Sequence, residues 1–289
     1  MRTIIFLTVS IFVFPLYSQE LNIFVSAHPD DWQLFMNPNA FHALDSLENK
    51  AVFIHTTAGD AGNVMDNNAY YAAREEGSLR AIRFMVNAHG NKDGYGNDTK
   101  KRTISLNSHP IIQHSYGNAR AYFLRLHDGF IVKDSMYEHP QSLRKFYAGE
   151  IKSITAIDES TTYNSLDDLK QTLKDLIDEE RKGYETVTLH LAETDSEINP
   201  GDHPDHLHSS KIFQEIAKEY PDIEVYLYEE YATGQKPVNL FVPDQHITIG
   251  TWGATASGLS DSGHYPTWDR GHNSWLGKQY FRKKPKTTE

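Results

Sequence analysis

Two short motifs in the 289-residue chain carry side chains that can bind a metal ion. HPDD occupies residues 28–31 and HPDH occupies residues 203–206, and each follows an apolar, strand-like run. Catalytic zinc takes three protein ligands from His, Asp and Glu and keeps a further position open for water. His28 and Asp31, together with one histidine of the second motif, would form a His₂Asp site of this kind.

The neighbouring carboxylates of Asp30 and Asp31 repel each other unless something positive lies nearby. A cation explains the pair, because one carboxylate then serves as a ligand and the other as a general base. Bound metal lowers the pKa of water toward neutrality, so that a nearby carboxylate can take its proton. Either motif alone is weak evidence, since His28 could be an ordinary turn residue and Asp30 a helix cap. The two motifs together, each after a strand, favour a metal site.

The pattern of apolar residues predicts which elements position these motifs. Strand-like runs alternate with segments of helical spacing, which is typical of βαβ units and a largely parallel sheet. Ligands of such sheets bind beyond the carboxyl ends of the strands, so the polar clusters that follow three strands are expected to share one rim. The predicted strands are 23–26, 51–56, 186–191 and 223–228, and the predicted helices are 41–48, 70–88, 164–182 and 206–219.

Two regions depart from this alternation. Residues 89–160 are polar and rich in Gly and aromatic residues, with short strand-like pieces at 104–106 and 122–126. Residues 246–281 form a C-terminal tail rich in Trp, His and Gly. We interpret both as elaborations around the site, so that residues 19–289 form a single domain. Aromatic faces stack on sugars, but packing of the tail's tryptophans on the core is the favoured interpretation.

Composition and the N-terminus restrict the function further. A net charge of −11 argues against a nucleic-acid or anionic-membrane partner, and the chain has no Cys for disulfides. Residues 1–18 combine Arg2, an apolar run and a small residue, Ser18, which is the pattern of a signal peptide. We therefore expect an exported protein, periplasmic or extracellular, with no membrane span in the mature chain.

Four segments of the chain resemble a known family. AHPDD (27–31) and GDHPDHLHSS (201–210) look like the two motifs of the PIG-L/LmbE-like family of zinc-dependent de-N-acetylases. TTAGDAG (56–62) and AREEGSLRA (73–81) resemble the family's second-strand loop and the helix after it. The resemblance implies a Rossmann-like α/β fold, a divalent metal that is usually zinc, and hydrolysis of an amide on an amino sugar.

The resemblance also implies roles for individual residues. His28, Asp31 and His206 would be the metal ligands, and Asp30 the general base. His203 would donate a proton or stabilise the oxyanion, and its acidic neighbours predict that it is protonated.

Other positions are assigned less directly. Asp205 could orient a neighbouring histidine. Arg74 could contact the sugar or form a surface ion pair with an acidic neighbour. Asp60 could bind substrate or simply cap a tight turn. Trp32 stands where the family usually has Glu, so it is expected either to change the packing or to offer a stacking face beside the site.

The predicted function is therefore hydrolysis of an N-acetyl or other N-acyl group from an amino sugar or glycoconjugate. The substrate would be a small molecule or an oligosaccharide, and the cofactor Zn²⁺ or another divalent metal, since Fe²⁺ or Co²⁺ would also accept a His₂Asp site. Two alternatives remain open: an amidase acting on a non-sugar acyl amide, and a carbohydrate-binding protein on the same scaffold. The sequence predicts no particular oligomeric state.

Overall fold

A computed structural model describes residues 19–62, 69–90, 99–133 and 135–285, without the side chains of 130–137. The predicted signal peptide, residues 1–18, lies outside the described residues. No helix in the described part of the chain is long and apolar enough to cross a membrane.

The order of elements follows the predicted alternation of strands and helices. The strands are β1 Glu20–Ser26, β2 Lys50–Thr57, β3 Lys100–Leu106, β4 His109–Tyr116, β5 Ala119–Leu126, β6 Phe130–Lys133, β7 Ser135–Glu138, β8 Ile154–Thr155, β9 Thr162–Tyr163, β10 Thr186–Ala192, β11 Glu224–Tyr228 and β12 Phe281–Lys283. The helices are α1 Asp31–Phe35, α2 Asn39–His42, α3 Tyr70–Ala88, α4 Leu143–Tyr147, α5 Leu166–Glu180, α6 Pro204–Ala217, α7 Val242–Asp261 and α8 Arg270–Asn273, with a 3₁₀ turn at Tyr231–Gln235.

The main sheet has eight strands in the order β12-β11-β10-β1-β2-β5-β4-β3. The five central strands, β11, β10, β1, β2 and β5, are parallel. The outer strands β12, β4 and β3 run antiparallel to their neighbours. This confirms the predicted α/β, Rossmann-like class with a mostly parallel sheet flanked by helices.

Apolar side chains cover both faces of the central strand β1, as expected of a parallel strand between two helical layers. Leu21, Ile23 and Val25 belong to the cluster that also includes the apolar stripe of α5, whereas Phe24 packs in the cluster that includes residues of α3. Helix α5 begins where the sequence predicts, because the Ser165 hydroxyl accepts the Asp168 amide at 3.1 Å.

Three details differ from the sequence-based prediction. The helix expected at residues 41–48 is wrong, because only Asn39–His42 is helical and the polar residues after it form turns. Residues 100–126, interpreted as an elaboration around the site, supply the sheet strands β3 to β5, of which the sequence predicts only the pieces at 104–106 and 122–126. Part of the predicted tail is the long helix α7, which approaches α3 so closely that a Cβ on Gly258 would lie 2.5 Å from the Gly77 backbone.

Candidate metal and active site

The two predicted motifs meet because β1 and β10 are neighbouring parallel strands. His28 lies two residues beyond the end of β1, and Asp31 begins the short helix α1. His203 caps the N-terminus of α6, which follows β10, and His206 lies in its first turn. All four side chains therefore reach the carboxyl-end rim of the sheet, where ligands of such sheets bind.

Three of these side chains converge on one point. His28 Nδ1 lies 3.0 Å from His206 Nε2 and 3.4 Å from Asp31 Oδ1, and His206 Nε2 lies 3.2 Å from Asp31 Oδ1. Ligand atoms about 2.0–2.1 Å from a tetrahedral zinc ion are separated by roughly 3.3 Å, which matches this triangle. The three predicted ligands therefore fit a divalent cation in both donor chemistry and spacing.

The charge around the triangle also calls for a cation. Six carboxylates are buried at or beside it, those of Asp30, Asp31, Asp128, Asp202, Asp205 and Glu230. Burial opposes protonation of the His28 imidazole, but Asp31 and Asp128 outweigh it and raise the pKa of His28 to about 10. The pKa of His206 is likewise raised well above its usual value against the effect of burial, chiefly by Asp31 and Glu230. The carboxylates thus draw positive charge to the place where a metal would lie.

The other ring nitrogen of each histidine ligand faces carboxylates. His206 Nδ1 lies 2.8 Å from Asp202 Oδ1 and 2.5 Å from Glu230 Oε2, and Asn199 Nδ2 donates to Asp202 at 2.7 Å. Burial raises the pKa of Glu230 to about 8, despite the opposing effect of the His206 charge. Carboxylates in this position fix the tautomer and orientation of a metal-binding histidine.

Asp205 lies on the corresponding side of His28. Its Oδ2 is 3.6 Å from His28 Nε2 and accepts the Gly129 amide at 2.8 Å. A Cβ on Gly129 would lie 2.6 Å from Asp205 Oδ1, so this backbone must be glycine to approach the carboxylate. The predicted orienting role of Asp205 is compatible with this position.

The predicted general base and Arg74 form a buried ion pair. Asp30 offers an oxygen within 4.8 Å of ligand atoms of His28 and Asp31, and its Oδ1 accepts from Arg74 Nη2. Arg74 Nη1 donates to the Gly59 carbonyl at 2.6 Å, which holds the guanidinium against the loop after β2. Arg74 therefore positions Asp30 through the ion-pair alternative that the sequence left open, although the pair is buried rather than at the surface.

The environment of His203 corrects one prediction. Its Nδ1 accepts the Asp205 amide at 3.2 Å, so the ring hydrogen must be on Nε2, which faces Asp128 Oδ1 at 3.8 Å. Burial, reinforced by the His28 charge, lowers the pKa of His203 to about 4. The expected protonated His203 is therefore wrong, and the ring is a neutral donor through Nε2.

Two further predicted substrate contacts are placed elsewhere. Trp32 is fully buried, packs on Phe53 and donates its indole hydrogen to Ser78 Oγ at 3.1 Å, so it offers no face to a substrate. Asp60 is also buried, and its two oxygens accept the amides of Asp128 at 2.8 Å and Gly62 at 3.1 Å. This is the turn-capping alternative that the sequence left open.

Sequence reasoning missed Asp128, Glu230 and Tyr231. Asp128 lies 3.8 Å from both His28 Nε2 and His203 Nε2, and the ring of Tyr231 meets that of His206 at 5.1 Å and 82°. A signal was present, because Asp128 follows the end of β5 by two residues and Glu230 follows the end of β11 by two.

No family model and no curated protein matches the sequence. Structural neighbours include the N,N'-diacetylchitobiose deacetylase of Pyrococcus horikoshii, with 13% identity, a TM-score of 0.45, and coverage of 90% of this chain and 71% of that one. They also include the conserved protein TT1542 of Thermus thermophilus, with 14% identity, a TM-score of 0.42, and coverage of 90% and 85%.

Proposed function

We propose that this chain is an exported, metal-dependent hydrolase that removes an N-acetyl group from an amino sugar or glycoconjugate. The observation that carries the proposal is the triangle of His28, Asp31 and His206 with the carboxylate of Asp30 beside it. A ligand set that leaves a position open, next to a fixed carboxylate, is what metal-assisted amide hydrolysis requires.

His28, Asp31 and His206 would hold the cation, with Zn²⁺ as the first choice. When bound, it would polarise the amide carbonyl and lower the pKa of water. Asp202 and Asp205 would keep the two imidazole rings in the orientation and tautomer that ligation needs.

Asp30 supplies the proton transfers in this mechanism. Its carboxylate takes a proton from the attacking water as the new C–O bond forms at the amide carbon. It then returns that proton to the nitrogen when the C–N bond breaks, so that the free amine leaves together with acetic acid, which keeps the second proton of the water. Arg74 holds Asp30 in the geometry these transfers need, because general bases act only within hydrogen-bond reach of the proton.

His203 would stabilise the oxygen on which negative charge develops. Its hydrogen is on Nε2, because Nδ1 accepts the Asp205 amide, and the cap position fixes the ring at the start of α6. A preorganised neutral donor in a buried site stabilises a developing oxyanion without reorganisation.

The amino-sugar substrate and the exported location come from the sequence. The four motifs shared with the PIG-L/LmbE-like family support an N-acyl amino sugar, and the N-terminal pattern supports export to the periplasm or the exterior. The deacetylase among the structural neighbours acts on diacetylchitobiose by its name, so acetylated sugars are the first substrates to test.

The test uses the chain from Gln19 onward, stripped of metal and then reloaded with Zn²⁺. Acetate release is measured on a panel of N-acetylated sugars and on acetylated amino acids, and bound metal is counted by mass spectrometry. Asp30→Asn is the test variant, and Asp244→Asn is the matched control because Asp244 pairs with His42 at the surface.

We expect zinc-dependent acetate release from sugars that Asp30→Asn abolishes and Asp244→Asn does not change. Release from the acetylated amino acids alone would replace the sugar substrate with the non-sugar amide. A chain that binds no divalent metal would refute the proposal, and metal-loaded protein that binds sugar without hydrolysis would favour the carbohydrate-binding alternative.

A further inference from the structure

The segment that follows α7, residues 262–276, contacts both sides of the candidate site. At one end His264 meets the ring of Tyr70 at 5.2 Å, and Tyr70 lies 5.9 Å from the Arg74 guanidinium that pairs with Asp30. At the other end Trp275 stacks on Tyr231 at 5.1 Å and 14°. The two ends of the segment therefore contact tyrosines that neighbour Arg74 and His206.

The second contact belongs to a row of aromatic rings that begins at a ligand. Tyr231 meets His206 at 5.1 Å, and Trp275 stacks on Tyr231. Phe35 meets Trp275 edge-on at 5.3 Å, and it lies one helical turn after Asp31 in α1. The helix that supplies a metal ligand thus also supports the aromatic row.

The outer rings are accessible but held firmly. Tyr231 is 37% exposed and Trp275 is partly exposed, whereas Phe35 beneath them is buried. The Trp275 indole donates to the Tyr231 carbonyl at 3.3 Å, and the buried Lys278 ammonium donates to the carbonyls of Thr233 and Gly234 at 3.1 and 3.0 Å. These bonds fix the turn that carries Tyr231, so the pair forms a rigid aromatic surface.

We propose that Tyr231 and Trp275 form a subsite for a second sugar ring, so that the substrate is an oligosaccharide rather than a free amino sugar. Pyranose rings present C–H groups that pack on the electron-rich face of an aromatic ring. The pair begins at His206, beside the place where the amide would react, and leads away from it. A ring linked to the reacting amino sugar can therefore lie on this surface. This inference rests on the proposed function, which supplies the sugar in the reacting position.

The test compares a monosaccharide with a trisaccharide. We measure kcat/KM for N-acetylglucosamine and for its β-1,4-linked trimer with the zinc-loaded chain, unaltered and as Trp275→Leu. Leucine keeps an apolar contact with Phe35 but removes the aromatic face. Trp275→Tyr is the conservative rescue, and Trp268→Ala is the matched control because Trp268 is 43% exposed and lies by Gly253 on α7.

We expect Trp275→Leu to lower kcat/KM for the trimer about five- to tenfold, from an aromatic contact of roughly 1–1.4 kcal/mol. The kcat/KM for the monomer should change less than twofold. Trp275→Tyr should restore the kcat/KM for the trimer, and Trp268→Ala should change neither value. A variant that only disturbs the fold would lower kcat/KM for both sugars alike. That result, or no change in kcat/KM for either sugar, overturns the subsite.

The two proposals fail differently. Hydrolysis of both sugars by the unaltered chain, with a trimer-to-monomer ratio that Trp275→Leu leaves unchanged, overturns the subsite alone. If the unaltered chain hydrolyses neither sugar, calorimetric titration with the trimer decides. Binding that Trp275→Leu weakens supports the subsite without the deacetylase activity, and absence of binding overturns both.

Discussion

The two carboxylates at His206 Nδ1 lead to a prediction about metal affinity. The nitrogen carries one hydrogen, yet Asp202 lies 2.8 Å and Glu230 2.5 Å from it. Asp202 is anchored by Asn199, and burial raises the pKa of Glu230 to about 8. We therefore expect Asp202, which Asn199 holds in place, to be the main acceptor that orients His206, and Glu230 to contribute less.

The magnitude follows from this geometry. A charge-assisted hydrogen bond of 2.7–2.9 Å is stronger than a neutral one, and loss of such an outer partner weakens metal binding about 10–100-fold, or about 1.4–2.7 kcal/mol. Asp202→Asn keeps an acceptor but loses the charge, so the lower end of that range is expected. Glu230→Gln alters the lesser acceptor and should change the affinity less than about threefold.

The assay is competition for Zn²⁺ against a chromophoric chelator at pH 7, with thermal unfolding of each metal-free variant to show that it folds. An equal or larger loss of affinity in Glu230→Gln than in Asp202→Asn would refute the assignment. The double variant adds a check. Its loss should equal that of Asp202→Asn if Glu230 contributes no charge, and should exceed it if the two carboxylates substitute for each other.

Three other predictions follow from single contacts. Arg74→Lys keeps the positive charge but loses the forked guanidinium that donates to both Asp30 and the Gly59 carbonyl. We expect kcat to fall about tenfold or more with the zinc content unchanged. The control Arg80→Lys, at the surface, should leave kcat unchanged. Burial lowers the pKa of His190 to about 3 against about 6.5 when unfolded, so the free energy of unfolding should fall as pH drops between those values, by up to about 1.4 kcal/mol per pH unit. His190→Gln should reduce that dependence in urea titrations, and an unchanged dependence in this variant would contradict the assignment. Trp32→Glu, which introduces the residue usual in the family that the motifs resemble, should lower the free energy of unfolding by at least about 3 kcal/mol, because it buries a carboxylate where an indole packs. An unchanged denaturation midpoint would contradict this.

The parts of the fold that the sequence predicts well are those with local signals. Helix α5 has a Ser165 cap, an apolar stripe and a terminating Gly183, and the structure places it within two residues of the prediction. The strands that precede the motifs are predicted equally well, because a buried parallel strand is apolar on both faces. The helix expected at residues 41–48 lacked such signals, and its apolar residues were too few to outweigh turn-forming Asp45 and Ser46.

The site was only half predictable for a related reason. His28 and Asp31 are close in the chain, as are His203 and His206, so each pair forms a recognisable motif. Asp128 and Glu230 each stand alone in sequence, and only the order of strands in the sheet brings them to the ligands. The protonation state of His203 could not be predicted from the sequence either, because it depends on burial and on the Asp205 amide that its Nδ1 accepts.

A single rule connects the residues that were found with those that were missed. His28 follows β1 by two residues, Asp128 follows β5 by two, and Glu230 follows β11 by two. These strands are parallel, so their carboxyl ends lie on one rim and successive chain crossings each add a polar group there. Such a rim concentrates acids that would repel one another in the absence of a cation. The crowding of carboxylates and the convergence of His28, Asp31 and His206 therefore have one physical cause, a rim built to hold positive charge.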